Sequence, residues 1–527
     1  MLQEEGRHRI DFDRDEFIAR IQVWKDEYEG RITDQLKAMG CSCDWDRQRF
    51  TMDAVCTRAV REAFFLLFRD GLIYRGKRLV NWDPATQTAL ADDEVQMKEV
   101  DGSFWYLKYP VVEEWHERER RQIEYVTVAT TRPETMLGDT AVAVNPKDPR
   151  AAVLVGKHVR LPIVNRVVPI IADEYVVLPD PDSSDEKAKY SSGFLKITPA
   201  HDLNDWEVGQ RHGLEVINVL APDGSISKDH GWPAQEFQTG QAKDAEPLLG
   251  LSRQDACRAV VEWFKREGLL DQVRPYRHVV GHSYRSHVPI EPYLSDQWYV
   301  KVTNKRLAGA ALRAMAPQQS DSSEKASPAS RERSDVGTEP TKWQGSLRFY
   351  PVRYAKTYQT WHENIRDWCI SRQLWWGHRI PVWRAKPSRP THHEFPDFSS
   401  DPDDFEQALQ ERFSRVSAVR GNSIDCFAKL DRVDGHPILY LCARSEDGDQ
   451  FLELLSDLLR RLRMGETQPT SPIAPLETQA VLEMFELDEM SQDPDVLDTW
   501  FSSALWPMST MGWPEVDHNE VLKKWNP

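Results

Sequence analysis

Two short peptides gather the side chains that ligand binding and hydrolysis use. The first reads Thr130-Thr131-Arg132-Pro133-Glu134-Thr135, followed by Gly138-Asp139-Thr140. Its hydroxyls, guanidinium and carboxylate, placed after a β-branched run, offer donors and acceptors to a polar ligand. The same residue types also satisfy backbone groups in ST turns, which is the structural alternative. The second reads Gly193-Phe194-Leu195-Lys196-Ile197-Thr198-Pro199-Ala200-His201-Asp202, with Asp205 three residues on. A strand puts Lys196 and Thr198 on one face, because alternate residues point the same way. Pro199 ends the strand and presents His201, Asp202 and Asp205 on a loop. A buried aspartate needs a partner, and a ligand ammonium group is a natural one. A helix N-cap is the alternative for Asp202.

A third stretch, residues 365–383, holds four tryptophans in nineteen positions: Trp368, Trp375, Trp376 and Trp383. Arg366, Asp367, Arg372, Gln373, His378 and Arg379 are interleaved with them. Neither a 3.6-residue nor a 2-residue period accounts for this mixture. Indoles beside guanidinium groups suit a wall that is half buried and half ligand-facing. A fourth stretch, Asp495-Val496-Leu497-Asp498-Thr499-Trp500-Phe501-Ser502-Ser503-Ala504-Leu505-Trp506, is either an aromatic core segment or a further pocket wall.

These four stretches, in this order, resemble the valyl-tRNA synthetases, a class I aminoacyl-tRNA synthetase family. Arg78-Leu79-Val80-Asn81-Trp82-Asp83-Pro84 through Ala91-Asp92-Asp93-Glu94-Val95 resembles the entry to that family's editing insertion. Asp83 stands where isoleucyl and leucyl relatives typically carry cysteine. Tyr284-Arg285-Ser286-His287 and Glu291-Pro292-Tyr293-Leu294-Ser295-Asp296-Gln297-Trp298 resemble the return into the catalytic fold. Ser502-Ser503-Ala504 replaces the isoleucyl Asp-Ser-Gly. The likeness covers residues 1–385 and 494–527.

The resemblance implies an α/β fold: a class I nucleotide-binding, Rossmann-like catalytic domain, incomplete here, interrupted by a β-barrel-like editing domain. It implies a valine–tRNA ligase activity with hydrolytic editing of Thr-tRNA. Asp202, Lys196 and Asp205 would be catalytic in editing. Thr130, Thr131, Arg132, Thr198 and His201 would bind the tRNA end and the threonine hydroxyl. Trp500 would line the valine pocket. The partners implied are tRNA(Val), valine and ATP with Mg2+, with no DNA or membrane partner, and the protein is expected to be a monomer.

Class I enzymes carry a His-Ile-Gly-His type loop and a Lys-Met-Ser-Lys-Ser type loop for ATP, and neither is found in these 527 residues. His278 to His282 and the pair His392-His393 have the wrong spacing. The sequence therefore reads as an internal piece of a longer enzyme. Two other readings stay open: a chain active only as an aminoacyl-tRNA deacylase, and a non-catalytic tRNA-binding relic.

Bulk properties are compatible with this. A length of 527 residues calls for two to four domains. No apolar run approaches the ~18–20 residues of a membrane span, and the N-terminus lacks a signal-peptide pattern, so a cytoplasmic protein is expected. Seven scattered cysteines argue against a disulfide framework, and Cys41-Ser42-Cys43 is too tight for the usual zinc pair. No structural zinc is expected. The net charge of −17 looks wrong for an RNA partner. Residues 394–495 hold 23 acidic and 9 basic side chains, or −14, which leaves −17 − (−14) = −3 for the rest. Acid confined to one segment does not exclude RNA binding.

The elements expected to position these side chains begin with a helical region over 12–39, broken near Gly30, and a helix over 51–70 ended by Gly71. Short strands follow at 125–130, 140–144, 159–161, 167–171, 175–178 and 194–198, then a helix at 252–267. Residues 317–341 read as a disordered loop. Within the acidic segment, strands are expected at 425–430 and 437–441 and an amphipathic helix at 451–462. The domains drawn from this are 1–120 (first catalytic part), 121–280 (editing), 281–385 (second catalytic part), 386–493 (acidic α/β insertion) and 494–527 (catalytic continuation).

Overall fold

The computed structural model describes residues 5–7, 9–112, 123–316, 345–385, 426–433, 436–444, 490–515 and 520–525. Two compact units emerge, one of residues 1–75 with 298–527 and one of residues 76–297. The second is wider than the 121–280 expected for an editing domain, because it takes in the hairpin after Gly76. The loop expected at 317–341 and the helix expected at 451–462 lie outside the described residues.

The first unit opens with helix α1 (Arg14–Ala38), which runs straight through Gly30. A mid-helix glycine costs only about 1 kcal/mol, and α1 carries i,i+4 pairs at Lys25–Glu29 (2.9 Å) and Arg31–Glu27 (2.7 Å). The expected break therefore does not occur, and Gly40, at φ +76°, follows the helix end. Helix α2 (Ala54–Arg69) starts where the Asp53 carboxylate accepts the Cys56 N–H at 2.8 Å. It buries Val60, Ala63, Phe64 and Phe68 against Trp298, Ile370, Val382 and Phe501.

Strands β1 (Ile73–Asp83) and β10 (Glu291–Val300) carry the chain out of and back into this unit. Between them the second unit is built. Strand β2 (Thr88–Leu90) pairs with the end of β1, Asp83 opposite Thr88. Strand β3 (Val95–Pro110) runs antiparallel to β4 (Tyr125–Thr130) and along most of β9 (Leu270–Ser283), giving a three-stranded sheet. A four-stranded sheet holds β5 (Ala141–Val144), β6 (His158–Arg160), β7 (Val167–Ala172) and β8 (Phe194–Ile197) in the order β6-β7-β5-β8. Strand β5 is buried on both faces: Val142 and Val144 enter the main core with Leu107, Tyr109 and Phe264, while Ala141 and Ala143 pack with Ile197 and Val208. Each buried valine contributes about 1.5–3 kcal/mol, so β5 anchors the sheet that carries β8.

Among the described residues these two sheets do not close into a barrel, contrary to the barrel-like expectation. Residues 175–178 are not a strand either. The Asp173 carboxylate accepts the Tyr175 N–H at 2.9 Å, and the Asn145 amide donates to the Val176 carbonyl at 2.7 Å. An Asx turn and a side chain thus take the backbone groups a strand needs. Helix α3 (Leu203–His212) follows β8, and α4 (Arg253–Arg266) starts at its Ser252 N-cap.

Back in the first unit lie β11 (Trp368–Cys369), β12 (Ser371–Arg372), β13 (Val382–Ala385), β14 (Cys426–Val433), β15 (His436–Ala443), β16 (Ser491–Gln492), β17 (Val496–Leu497) and helix α5 (Thr499–Ser503). The pairs β10–β11, β12–β17, β13–β15, β13–β16 and β14–β15 are all antiparallel. A parallel, Rossmann-like sheet is not represented by these pairs. The strands expected at 425–430 and 437–441 form as β14 and β15, but they join the sheet of β13 and β16 rather than standing apart. The Tyr440 ring meets Trp298 edge-on at 5.4 Å, and Cys442 lies in the same core.

Candidate functional site

Antiparallel pairing of β5 with β8 explains how distant residues meet. Ala141 lies opposite Ile197, and the Thr140 N–H donates to the Ile197 carbonyl at 2.9 Å. Asp139, just before β5, is thereby brought beside Thr198, just after β8. The turn between β4 and β5 is a short 3-10 helix, Pro133–Gly138, entirely buried. Gly138 is needed there, because a Cβ would lie 2.7 Å from the Ile217 carbonyl oxygen.

Lys196 is buried and donates to Thr135 Oγ1 at 2.8 Å, Thr198 Oγ1 at 2.6 Å and Asp139 Oδ1 at 3.2 Å. Asp139 also accepts from the Thr198 hydroxyl at 2.6 Å and the Tyr109 hydroxyl at 2.9 Å. Burial pushes the Asp139 pKa up, opposed by Lys196 and these donors. Burial, and then Asp139, push the Tyr109 phenol well above its ordinary range, so it stays a donor.

Helix α3 brings the next carboxylates, and here the expected loop is a helix start. Asp202 is exposed and caps α3, accepting the Asn204 N–H at 2.8 Å and the Asp205 N–H at 3.1 Å. Asp205, in the first helical turn, is buried, and its Oδ2 accepts the Thr198 N–H at 2.9 Å. Its other oxygen accepts no hydrogen bond among the described residues. Burial, and then the neighbouring Asp202 charge, raise the Asp205 pKa to about 7. Of the two aspartates named from sequence, Asp205 faces the Lys196–Thr198 network and Asp202 plays the cap.

Arg132 is held on three sides. It donates to Glu134 at 3.2 Å, to the His201 carbonyl at 3.2 Å and to Glu291 at 2.5 Å. Glu291 also binds Arg253 of α4. Burial opposes the Arg132 charge, but Glu291 and Glu134 more than offset it and raise its pKa. A guanidinium has five N–H groups, so two remain for a ligand on a side chain that is about a quarter exposed (26%). The His201 ring is buried, with Nδ1 unpartnered among the described residues. Its Nε2 accepts the Val219 N–H at 3.1 Å, and burial, Arg132 and Lys196 hold its pKa far below the usual range. Thr130 takes the ST-turn alternative, accepting the Arg132 N–H at 3.0 Å. Thr131 is half-buried and makes no side-chain hydrogen bond among the described residues.

Reading by spacing passed over Tyr109, Glu291 and Arg253, which lie 30 residues from Asp139, 159 from Arg132 and 38 from Glu291. No local pattern signals them. Asp139 and Thr135 stood inside the first peptide, and their polar type was the available signal.

In the first unit, two of the three arginines of residues 365–383 are used within the protein, while Arg366 is exposed. Arg372, 2% exposed, binds Asp498 at 2.6 Å, and Arg379 donates to the Asp493 and Gln492 carbonyls. Trp298 and Arg75 both donate to Asp493, at 3.0 and 2.8 Å. Trp383 is buried, while Trp368, Trp375 and Trp376 are half-buried. Trp500, in the first turn of α5, is 59% exposed, and its backbone N–H donates to Asp498 at 3.0 Å. Gln373 donates to Asp495 at 2.6 Å, and burial, then Asp493, raise the Asp495 pKa to about 6.

Comparison with known proteins adds the following. The family model of the tRNA synthetases class I (I, L, M and V) matches residues 1–400 and 426–527. The valine–tRNA ligase of Protochlamydia amoebophila is 40% identical over 517 residues, covering 98% of this chain and 39% of that protein. That of Mesorhizobium japonicum is 39% identical, covering 98% of this chain and 45% of that protein. That of Prochlorococcus marinus is 40% identical, covering 100% and 43%. The chain thus spans less than half the length of these curated relatives. A solved ternary complex of an Agrobacterium radiobacter LeuRS with tRNA and LeuAMS has a TM-score of 0.23 at 15% identity and covers 96% of this chain and 48% of that one.

Proposed function

The chain belongs to the class I tRNA synthetases of the I, L, M and V group, and from that premise we propose that it is a portion of a cytoplasmic valine–tRNA ligase whose second unit hydrolyses Thr-tRNA. The observation that supports this most is the Asp205 carboxylate. One oxygen is tied to the Thr198 N–H, and the other is free beside a buried network of hydroxyls and Lys196.

A threonyl ester carries an α-ammonium and a β-hydroxyl. The ammonium pairs with the free Asp205 oxygen, and its approach favours the ionised carboxylate. The hydroxyl meets the Thr198 and Thr135 oxygens. The spare N–H groups of Arg132 hold the phosphate or ester oxygens at the tRNA end. Water attacks the ester carbonyl, the bond to the ribose oxygen breaks, and that oxygen takes the proton. The products are threonine and tRNA. Such editing is needed because an apolar valine pocket rejects the isosteric threonine weakly. Valyl enzymes are themselves the standard example, at about a hundredfold.

Relatives named as valine–tRNA ligases support valine and tRNA(Val) as the substrates of the complete enzyme, with ATP and Mg2+ used by the class. Among the described residues no three His, Cys, Asp or Glu side chains converge, and neither signature loop is in the sequence. These 527 residues by themselves are therefore expected to give no valine-dependent pyrophosphate exchange, since that step depends on positioned donors around the triphosphate. Exchange above a no-enzyme blank, with valine, ATP and Mg2+, would contradict the reading for this half.

A further inference from the structure

We propose that Arg253 joins Arg132 in a two-guanidinium seat for a phosphodiester at the RNA end, with the buried Glu291 as the positioning residue between them. This rests on the hydrolytic reading of the second unit, which brings a tRNA end to Arg132.

Glu291, the first residue of β10, gives its two oxygens to two arginines from distant segments. Oε2 accepts from Arg132 Nη2 at 2.5 Å, and Oε1 accepts from Arg253 Nη1. Arg132 follows β4, and Arg253 opens α4, which packs against the 3-10 helix Pro133–Gly138. Bound to the two oxygens of one carboxylate, the guanidinium groups are held side by side. That spacing also suits two oxygens of one phosphate, the geometry arginine forks recognise. The carboxylates lie inside and the cations outside. The Glu134 and Glu291 side chains are 3% and 4% exposed, whereas those of Arg132 and Arg253 are 26% and 25% exposed. The four charges cancel in sum, but the side that faces solvent is positive.

The unused donors lie on these same two arginines. Arg132 uses three of its five N–H groups on Glu134, Glu291 and the His201 carbonyl, which pins it. Arg253 uses one among the described residues, so most of its fork is open to a ligand. The structural alternative is that Arg253 only neutralises Glu291. That role predicts lost stability on substitution and no effect on RNA.

The probe is tRNA(Val) ending in a threonyl amide, which binds without being hydrolysed, beside the same RNA lacking its 3′-terminal nucleotides. Dissociation constants for the intact 527-residue chain are measured over a salt series. Arg253→Gln should weaken binding of the full-length RNA roughly tenfold at about 0.1 M salt, the effect of one lost charge-assisted contact. The slope of log Kd against log salt should become shallower by about 0.7, the single-strand value for one phosphate contact. Binding of the shortened RNA should change by less than about twofold. Arg253→Lys keeps the charge and loses the fork, so its slope should stay at the wild-type value while binding weakens about threefold. A folded Arg253→Gln with wild-type affinity and slope, or one weakened equally toward both RNAs, overturns the inference. If Arg253→Gln does not fold, Arg253→Lys decides, and wild-type affinity for the full-length RNA then overturns it. Thr-tRNA hydrolysis by wild type is followed in parallel. Its absence overturns the hydrolytic reading, while the binding comparison still decides the seat.

Discussion

Replacing Asp205 by Asn is expected to abolish hydrolysis of Thr-tRNA while making the protein more stable than wild type at pH 8. The carboxylate is buried, and its pKa is raised to about 7 by burial and then by Asp202. An unfolded aspartate titrates near 3.9. The native state therefore binds the extra proton between about pH 4 and pH 7, and its contribution to stability, full below pH 4, falls as pH rises through that window. Asn is neutral throughout and can still accept the Thr198 N–H, so it escapes the penalty. Yet it cannot pair with an ammonium as a carboxylate does, and the expected loss of hydrolysis is at least about a hundredfold. In wild type, hydrolysis should rise with pH to a plateau just above 7. Asp202→Asn keeps the cap of α3 and removes a charge that raises the Asp205 pKa. Its expected phenotype is retained hydrolysis with the acid limb moved to lower pH. Melting temperatures at pH 5 and pH 8, with pH–rate profiles, check all three. If Asp202→Asn lost hydrolysis and Asp205→Asn kept it, the roles drawn from the structure would be reversed.

Asp498→Ala is expected to give the largest loss of stability among single substitutions in the first unit. The side chain is 3% exposed and makes three contacts at once: Arg372 at 2.6 Å, the Trp368 indole N–H at 3.1 Å, and the Trp500 N–H at the start of α5. Removing one partner of a buried pair costs about 3–5 kcal/mol, because the other charge stays buried. Losing the helix cap adds roughly 0.5–2 kcal/mol. A loss of about 3 kcal/mol or more lowers the melting temperature of a unit this size by roughly 6–12 °C. Calorimetry should show the first unit's transition shifted by that much. A shift of about 1 °C would mean that Arg372 finds an adequate substitute for the carboxylate.

How legible this was depended on the range of the interactions. Strands β4, β7 and β8 and helix α4 were readable because β-branched runs, Pro199 and Ser252 act within a few residues. Residues 175–178 alternate like a strand, but Asp173 and Asn145 take their backbone groups, and no period records that. The two candidate peptides are brought together by the β5–β8 pairing, while the hydrogen-bond partner of each side chain could not be read from them. Sequence put Asp202 forward as the ammonium partner, with a helix N-cap as its alternative, and Asp205 as near enough to share the role. Only the start of α3 immediately after β8 turns the first outward as a cap and the second inward onto the Thr198 N–H. Lys196 was expected to be catalytic, and its hydrogen bond to Asp139, 57 residues away, was not legible in the spacing. The sheet partners of the strands expected at 425–430 and 437–441 were illegible for the same reason. Their pairing with β13 and packing on Trp298 are long-range contacts that an acidic composition does not foretell.

The central claim is that the second unit is a pocket for a mischarged threonyl ester. It is tested most directly by incubating the intact chain, without ATP, with tRNA(Val) carrying either threonine or valine, and following release of each amino acid at pH 7.5. The expected result is hydrolysis of the threonyl ester at least about a hundredfold above that of the valyl ester, because valine leaves the buried acceptors unpaired. Release of both at the uncatalysed rate, or of both at one enzymatic rate, would contradict it.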